Sequence, residues 1–287
     1  MDTNQSGNEP KSGYLEANGI KLHYLDWGGS GSPIVILHAT GFLGRIYRPI
    51  ATALTSIGHV FSYDQRGHGD SGRSPTGEYN WTAMMDDLAG FIAAMGFKSV
   101  RGFGHSAGAT AIGSLASERP DLINRAVLVE PVLIPPAGSE LDWQNPFIER
   151  TLKRKRVFDS VDAMFQNFHK KLPYATWRKD ILRDYCEFGT QRNSEGKREL
   201  KCPPEIEARY YESSREFDGL GRILRCAVPL LVMFGAGADS PGAPFAGQLA
   251  AELKHGRVVN FPDAGHFIPM EKPEEVSRLA VEFLSAR

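Results

Sequence analysis

Cysteine is scarce, with three residues in a chain of 287 (Cys186, Cys202 and Cys226). The number is odd and the spacing matches no metal site, which argues against a disulfide framework and against structural zinc. Such a chain suits a reducing compartment, and a cytoplasmic location is expected. There is no charge excess either: the formal net charge is −1. No global field therefore draws the chain to nucleic acid or to an anionic membrane surface. No apolar run approaches the roughly 20 residues needed to span a bilayer. Met1 to Pro10 is polar and lacks the hydrophobic stretch of a secretory signal. Internal repeats are missing, and nothing in the pattern reports an oligomeric state.

Hydrophobic residues make up 41% and charged residues 23%, ordinary values for a globular chain. That length holds one large domain, or one domain with an insertion. Residues 1–12 read as a tail. Tyr14 to Trp27 holds two alternating segments around Asn18-Gly19, a hairpin signal. Short apolar runs follow at Pro33–His38, His59–Asp64, Ser99–Phe103, Ala126–Glu130, Val228–Phe234 and Arg257–Phe261. Near-continuous runs of this kind mark strands covered on both faces. Between them lie stretches with helical spacing at Ile46–Ile57, Trp81–Met95, Ala109–Glu118, Ala246–Leu253 and Pro273–Ser285. Strand alternating with helix predicts an α/β fold, a mostly parallel sheet flanked by helices. The rhythm breaks over 135–220, which is rich in aromatics and helical in pattern. It is read as a helical insertion over one end of the sheet, leaving 13–134 and 221–287 as the core.

Glycine is plentiful, and two glycines frame the central motif, Gly104-His105-Ser106-Ala107-Gly108. This G-x-S-x-G lies between a strand pattern and a helix pattern, the context of a nucleophile elbow. A bend that tight exposes a hydroxyl and leaves no room for Cβ atoms on either side. Dinucleotide binding needs G-x-G-x-x-G, and the spacing of Gly102, Gly104 and Gly108 is one residue too long. A serine hydroxyl needs a base. His266, in the loop between the last strand and the last helix, is the candidate. The base needs a carboxylate to fix its tautomer. Asp239 and Glu130 each follow a strand and keep the order serine, acid, histidine. Asp239 is placed first, because its strand neighbours the one before His266, with Glu130 as the alternative. On that ranking Asp239→Asn is the damaging substitution. The oxyanion requires two backbone donors, assigned to the N–H groups of Ala107 and Thr40.

These motifs resemble the α/β-hydrolase superfamily, in its serine esterase and lipase-like members, from Tyr14 to nearly the end. The resemblance rests on His38-Ala39-Thr40-Gly41-Phe42, Asp64-Gln65-Arg66-Gly67-His68-Gly69-Asp70-Ser71, Gly104–Gly108, and Gly265-His266 followed by Glu271-Lys272-Pro273. Ala39 stands where the family commonly has glycine. The resemblance implies an eight-stranded sheet and a helical cap inserted after the sixth strand, matching 135–220. Relatives that are haloalkane dehalogenases or epoxide hydrolases carry aspartate as nucleophile, and Ser106 argues against both activities.

The expectation is a cofactor-independent serine hydrolase acting on small carboxylic esters or related acyl compounds, with no metal in its mechanism. The same triad serves lactonases, carbon–carbon bond hydrolases and cofactor-free peroxidases, and a non-catalytic ligand receptor is the alternative of another class. Lys153-Arg154-Lys155-Arg156 is read as a solvated face of the cap, and Arg66–Asp70 as turn chemistry.

Overall fold

The chain is described by a computed structural model over residues 9–133, 147–237, 240 and 242–286. It starts with a hairpin. Asn18 (φ 50°) and Gly19 (φ 71°) are both left-handed, as a two-residue turn between twisted strands requires. They join β1 (Lys11–Ala17) to β2 (Ile20–Gly28). Strand β1 thus starts two residues inside the stretch read as a tail, because Lys11 and Ser12 pair with Asp26 and Leu25.

Six further strands complete the large sheet: β3 (Pro33–Leu37), β4 (His59–Tyr63), β5 (Val100–His105), β6 (Ile123–Val129), β10 (Leu230–Gly235) and β11 (Gly256–Phe261). The order is β1-β2-β4-β3-β5-β6-β10-β11, and β2 pairs antiparallel with both of its neighbours. Alternate residues explain the uninterrupted apolar runs. Val35 and Leu37 enter one core while Ile34 and Ile36 enter the other; Leu230, Val232 and Phe234 oppose Leu231 and Met233 in the same way. Helices α2 (Trp81–Ala94), α3 (Ala107–Glu118), α8 (Gly219–Leu224) and α9 (Ala246–Glu252) contribute to the first core. Helices α1 (Arg48–Leu54), α10 (Ile268–Glu271) and α11 (Pro273–Ser285) contribute to the second.

From β3 the chain steps to β4 on one side and later to β5 on the other. A reversal of this kind opens a crevice at the carboxyl ends of the strands, the usual place for a ligand in an open α/β sheet. Thr40, Ser106, Glu130 and His266 all follow such ends.

Between β6 and β10, the described residues add no strand to the large sheet. They hold α4 (Phe147–Leu152), α5 (Val161–Phe168), α6 (Lys179–Phe188) and α7 (Pro204–Ser213), as the aromatic, helical pattern predicts. They also hold a small antiparallel sheet of β7 (Val157–Phe158), β8 (Thr190–Arg192) and β9 (Arg198–Leu200), ordered β7-β9-β8. The helical reading missed it because two or three residues are too few to display a period of two. The basic run departs from its reading as well. It follows α4 rather than riding on a helix, and Arg154 turns inward while Lys153 and Arg156 face solvent.

Candidate active site

Strand β5 ends at His105 and α3 begins at Ala107, so Ser106 alone makes the turn. Its backbone lies at φ 56° and ψ −123°, a sparsely populated region for a side-chain-bearing residue. The bend is held by the Ser106 N–H on the Val129 carbonyl (2.9 Å) and by the Thr110 N–H on the Ser106 carbonyl (3.1 Å). A Cβ on Gly104 would lie 2.5 Å from the Ala109 Cα, and one on Gly108 would lie 2.4 Å from the Leu37 carbonyl oxygen. Both obstacles are backbone. Gly108→Ala is expected to destabilise the fold by about 1–3 kcal/mol, the usual cost of overpacking. Urea unfolding measures this, and an unchanged midpoint would show that the elbow has slack.

His266 reaches the serine across the sheet. Its Nε2 lies 3.1 Å from Ser106 Oγ, and its Nδ1 lies 3.1 Å from Glu130 Oε2. Glu130 is fully buried and left-handed at φ 50°. Its carboxylate accepts the Gly235 N–H at 2.5 Å and the Ser240 hydroxyl at 2.7 and 2.8 Å. These donors meet oxygens that burial has taken out of water. Among the described residues, the carboxylate against His266 is that of Glu130, the alternative acid. Asp239 lies outside the described residues. Strand β6, which Glu130 follows, lies between β5 and β10 and so adjoins the nucleophile's own strand.

The loop after β3 presents its backbone toward the elbow. The Ala39 N–H donates to Tyr47 Oη at 3.1 Å, and the Gly41 N–H donates to His68 Nε2 at 2.9 Å. Between them, the Thr40 N–H has no acceptor among the described residues. Ala107 is the first residue of α3, where N–H groups have no intrahelical acceptor and the helix dipole is positive. Thr40 and Ala107 thus each retain an available donor.

Three buried histidines brace this arrangement. Nδ1–H of His38 donates to the Ala39 carbonyl at 2.8 Å, and its Nε2 accepts the Gln65 N–H at 2.9 Å. His68 supports Gly41 through Nε2 and donates from Nδ1 to the Arg66 carbonyl at 3.1 Å. Burial, helped by nearby His38, pushes the His68 pKa down to about 3. The loop Arg66–Asp70 therefore does more than turn, although Gly67 and Gly69 have the expected positive φ. The sign of the pH effect follows. An unfolded histidine takes up a proton near pH 6.5, whereas folded His68 does not until about pH 3. This group's contribution is full above pH 6.5 and is lost as pH falls through that window, at most about 1.4 kcal/mol per pH unit. His68→Gln should flatten the fall in unfolding free energy between pH 7 and 5. An equal fall in both proteins would contradict a neutral buried imidazole.

His105 ties three segments together. Its Nε2–H donates to the His266 carbonyl at 2.9 Å, and its Nδ1 accepts from Tyr47 Oη at 2.7 Å. Tyr47 in turn accepts the Ala39 N–H. Burial and the neighbouring His266 hold the His105 pKa well below the ordinary value, so the ring stays neutral and the relay keeps its direction. Nothing in the sequence signals Tyr47; its position in a 3₁₀ turn after Leu43 places it.

Aromatic rings cover the site. Phe42 packs against Trp177, Tyr185 and Phe267, at centroid separations of 5.3, 5.1 and 5.7 Å. Among the described residues, His23, Asp64 and Asp70 form one group able to hold a metal ion. Those atoms are already engaged, His23 with Asp64 at 2.8 Å and Asp70 with Lys201 at 2.6 Å. Among the described residues no helix is long and apolar enough to cross a membrane.

A sequence profile of the alpha/beta hydrolase family matches residues 34–279. The chain is 33% identical over 276 residues to a putative carbamate hydrolase RutD of Caulobacter sp. (strain K31), covering 92% of this chain and 96% of that protein. It is 31% identical over 171 residues to the N-formylmaleamate deformylase of Pseudomonas putida, covering 59% of this chain and 61% of the deformylase. The fold superimposes on the crystal structure of E-2-(acetamidomethylene)succinate hydrolase with a TM-score of 0.83 at 22% identity, over 96% of this chain and all of that one. A nucleophile elbow, a sheet that reverses beside it, and a match over most of the length lead to one conclusion: the chain belongs to the alpha/beta hydrolase family.

Proposed function

We propose that this protein is a cofactor-independent serine hydrolase that cleaves small carboxylic esters and related acyl compounds through an acyl-enzyme on Ser106. The observation that carries the reading is the unbroken chain Ser106 Oγ, His266 and Glu130, with both links at 3.1 Å. Glu130 fixes the imidazole with its proton on Nδ1, which turns the Nε2 lone pair to the hydroxyl. His266 takes the Ser106 proton as Oγ attacks the carbonyl. The oxyanion forms between the N–H groups of Ala107 and Thr40. His266 then protonates the leaving group, and a water activated by the same imidazole releases the acid.

Asp239 takes no part in this reading. Residues 135–220 act as the cap that selects the acyl and leaving groups. Three free, buried cysteines suit a reducing compartment such as the cytoplasm. A second reading, hydrolysis of an acyl carbon–nitrogen bond, is favoured by the names of the deformylase and carbamate hydrolase relatives. It needs the same residues and a better protonated leaving group.

The test is a panel of p-nitrophenyl esters beside a lactone, an N-formyl amide and a vinylogous diketo acid. Ester or amide turnover that vanishes in Ser106→Ala is expected. Binding of ligands with no turnover would favour the receptor alternative, and turnover of the diketo acid alone would favour carbon–carbon cleavage.

A further inference from the structure

Arg154 is the odd member of its basic run. It is only 16% exposed, and its Nη2 sits 2.6 Å from Glu207 Oε2. That approach is off axis: Nε and Nη2 of Arg154 and Oε2 of Glu207 have no hydrogen-bond partner among the described residues. Nε and Nη2 are the edge with which a guanidinium grips a carboxylate through two parallel bonds. In two other arginines that edge is filled, while the Nε groups of Arg45 and Arg101 also lack a partner. Arg66 holds both oxygens of Asp87 with it at 2.6 and 2.7 Å, and Arg178 holds Asp180 at 2.6 and 2.5 Å. At Arg154 neither nitrogen makes such a bond. Trp177 Nε1, on a ring 6.2 Å from that of Tyr185, also lacks an acceptor, and the Tyr185 hydroxyl meets Tyr174, which also meets Arg154. Burial keeps the Tyr185 phenol protonated and thus a donor. A buried donor without an acceptor is costly, and a ligand with oxygen acceptors removes that cost.

The position is next to the proposed chemistry. A Cβ built on Gly41, the residue after Thr40, would lie 2.7 Å from Glu207 Oε1. Phe42 packs on both Trp177 and Tyr185. Glu207 is itself held by the Tyr211 hydroxyl at 3.1 Å. It neutralises Arg154 without the paired hydrogen bonds of a two-pronged contact.

We infer that Arg154, with Trp177 and Tyr185, forms a subsite for a carboxylate carried by the substrate, remote from the bond that Ser106 attacks. This rests on the reading of Ser106 as nucleophile and narrows its substrates to acyl compounds bearing a second, anionic end.

The test compares kcat/KM, by proton release, for monomethyl succinate, glutarate and adipate with methyl butyrate, valerate and hexanoate. A second pair, 3-acetoxypropanoate and propyl acetate, puts the charge on the leaving group. At one chain length or more the anionic ester should be favoured by about 10- to 100-fold, the equivalent of one good charge-assisted pair. In Arg154→Gln and Arg154→Lys that ratio should collapse, chiefly through KM. A merely structural role would lower both members of a pair together and leave their ratio alone. Equal or better turnover of the neutral ester throughout, or a ratio unmoved by both variants, overturns the subsite and leaves the serine mechanism standing. If no ester turns over, ester cleavage fails instead, and calorimetry with glutarate and adipate decides the subsite. Binding lost in the Arg154 variants supports it, and no binding to the parent protein overturns it.

Discussion

Ser106→Ala should lower kcat/KM for an accepted ester by about 10⁵- to 10⁶-fold, and adding His266→Ala should cost almost nothing more. The non-additivity is the informative part. An imidazole 3.1 Å from a hydroxyl acts on that hydroxyl. Once the hydroxyl is gone, the base has nothing to deprotonate, and its own removal is silent. A residual rate remains, because the Thr40 and Ala107 donors still polarise a bound carbonyl toward water. Four proteins suffice: parent, two single variants and the double variant. A second loss of 10³-fold or so on adding His266→Ala would mean that the histidine serves some step independent of the serine.

Glu130→Gln should reduce kcat by about 10⁴-fold, while Asp239→Asn should stay close to the parent. A glutamine amide can meet His266 through its oxygen or its nitrogen. Turning the nitrogen to the ring favours the tautomer whose proton sits on Nε2, and the serine then faces a donor instead of a base. Turning the oxygen to the ring points the nitrogen at the Gly235 N–H and the Ser240 hydroxyl, which are bonded to the carboxylate at 2.5–2.8 Å. One donor is then orphaned in a fully buried place, at a cost of about 1–3 kcal/mol in stability. The substitution is thus expected to slow the enzyme and lower its unfolding midpoint together. Glu130→Asp keeps the charge but ends one methylene short of Nδ1, and should be slow without the change of tautomer. If Asp239→Asn proves the damaging change in kinetic assays, the first ranking was right and the carboxylate seen against His266 is a structural bystander.

Much of this arrangement can be read before any coordinates, and what cannot is instructive. The sheet is legible because both faces of its strands are covered, so Pro33–Leu37 and Leu230–Gly235 stand out as apolar runs. The elbow is legible because a bend so tight forces glycine at 104 and 108. His266 is legible by its place between the last strand and the last helix. The choice between Asp239 and Glu130 is not, since both follow strands in the same chain order. What sets Glu130 beside the nucleophile's strand is lateral strand order, a non-local property of the sheet. Tyr47 and His105 escape for the same reason: the groups they join come from positions 39, 105 and 266. Arg154 looked like one charge among four because a run of like residues hides which member points inward.

The central claim is that Ser106 is an activated nucleophile. A fluorophosphonate probe at neutral pH, followed by intact-mass and peptide mass spectrometry, reads this directly. One adduct per chain, mapped to Ser106, slowed in Glu130→Gln and missing in Ser106→Ala, is the predicted result. A chain that hydrolyses an ester while Ser106 remains unlabelled, or that takes its adduct at another residue, would contradict it.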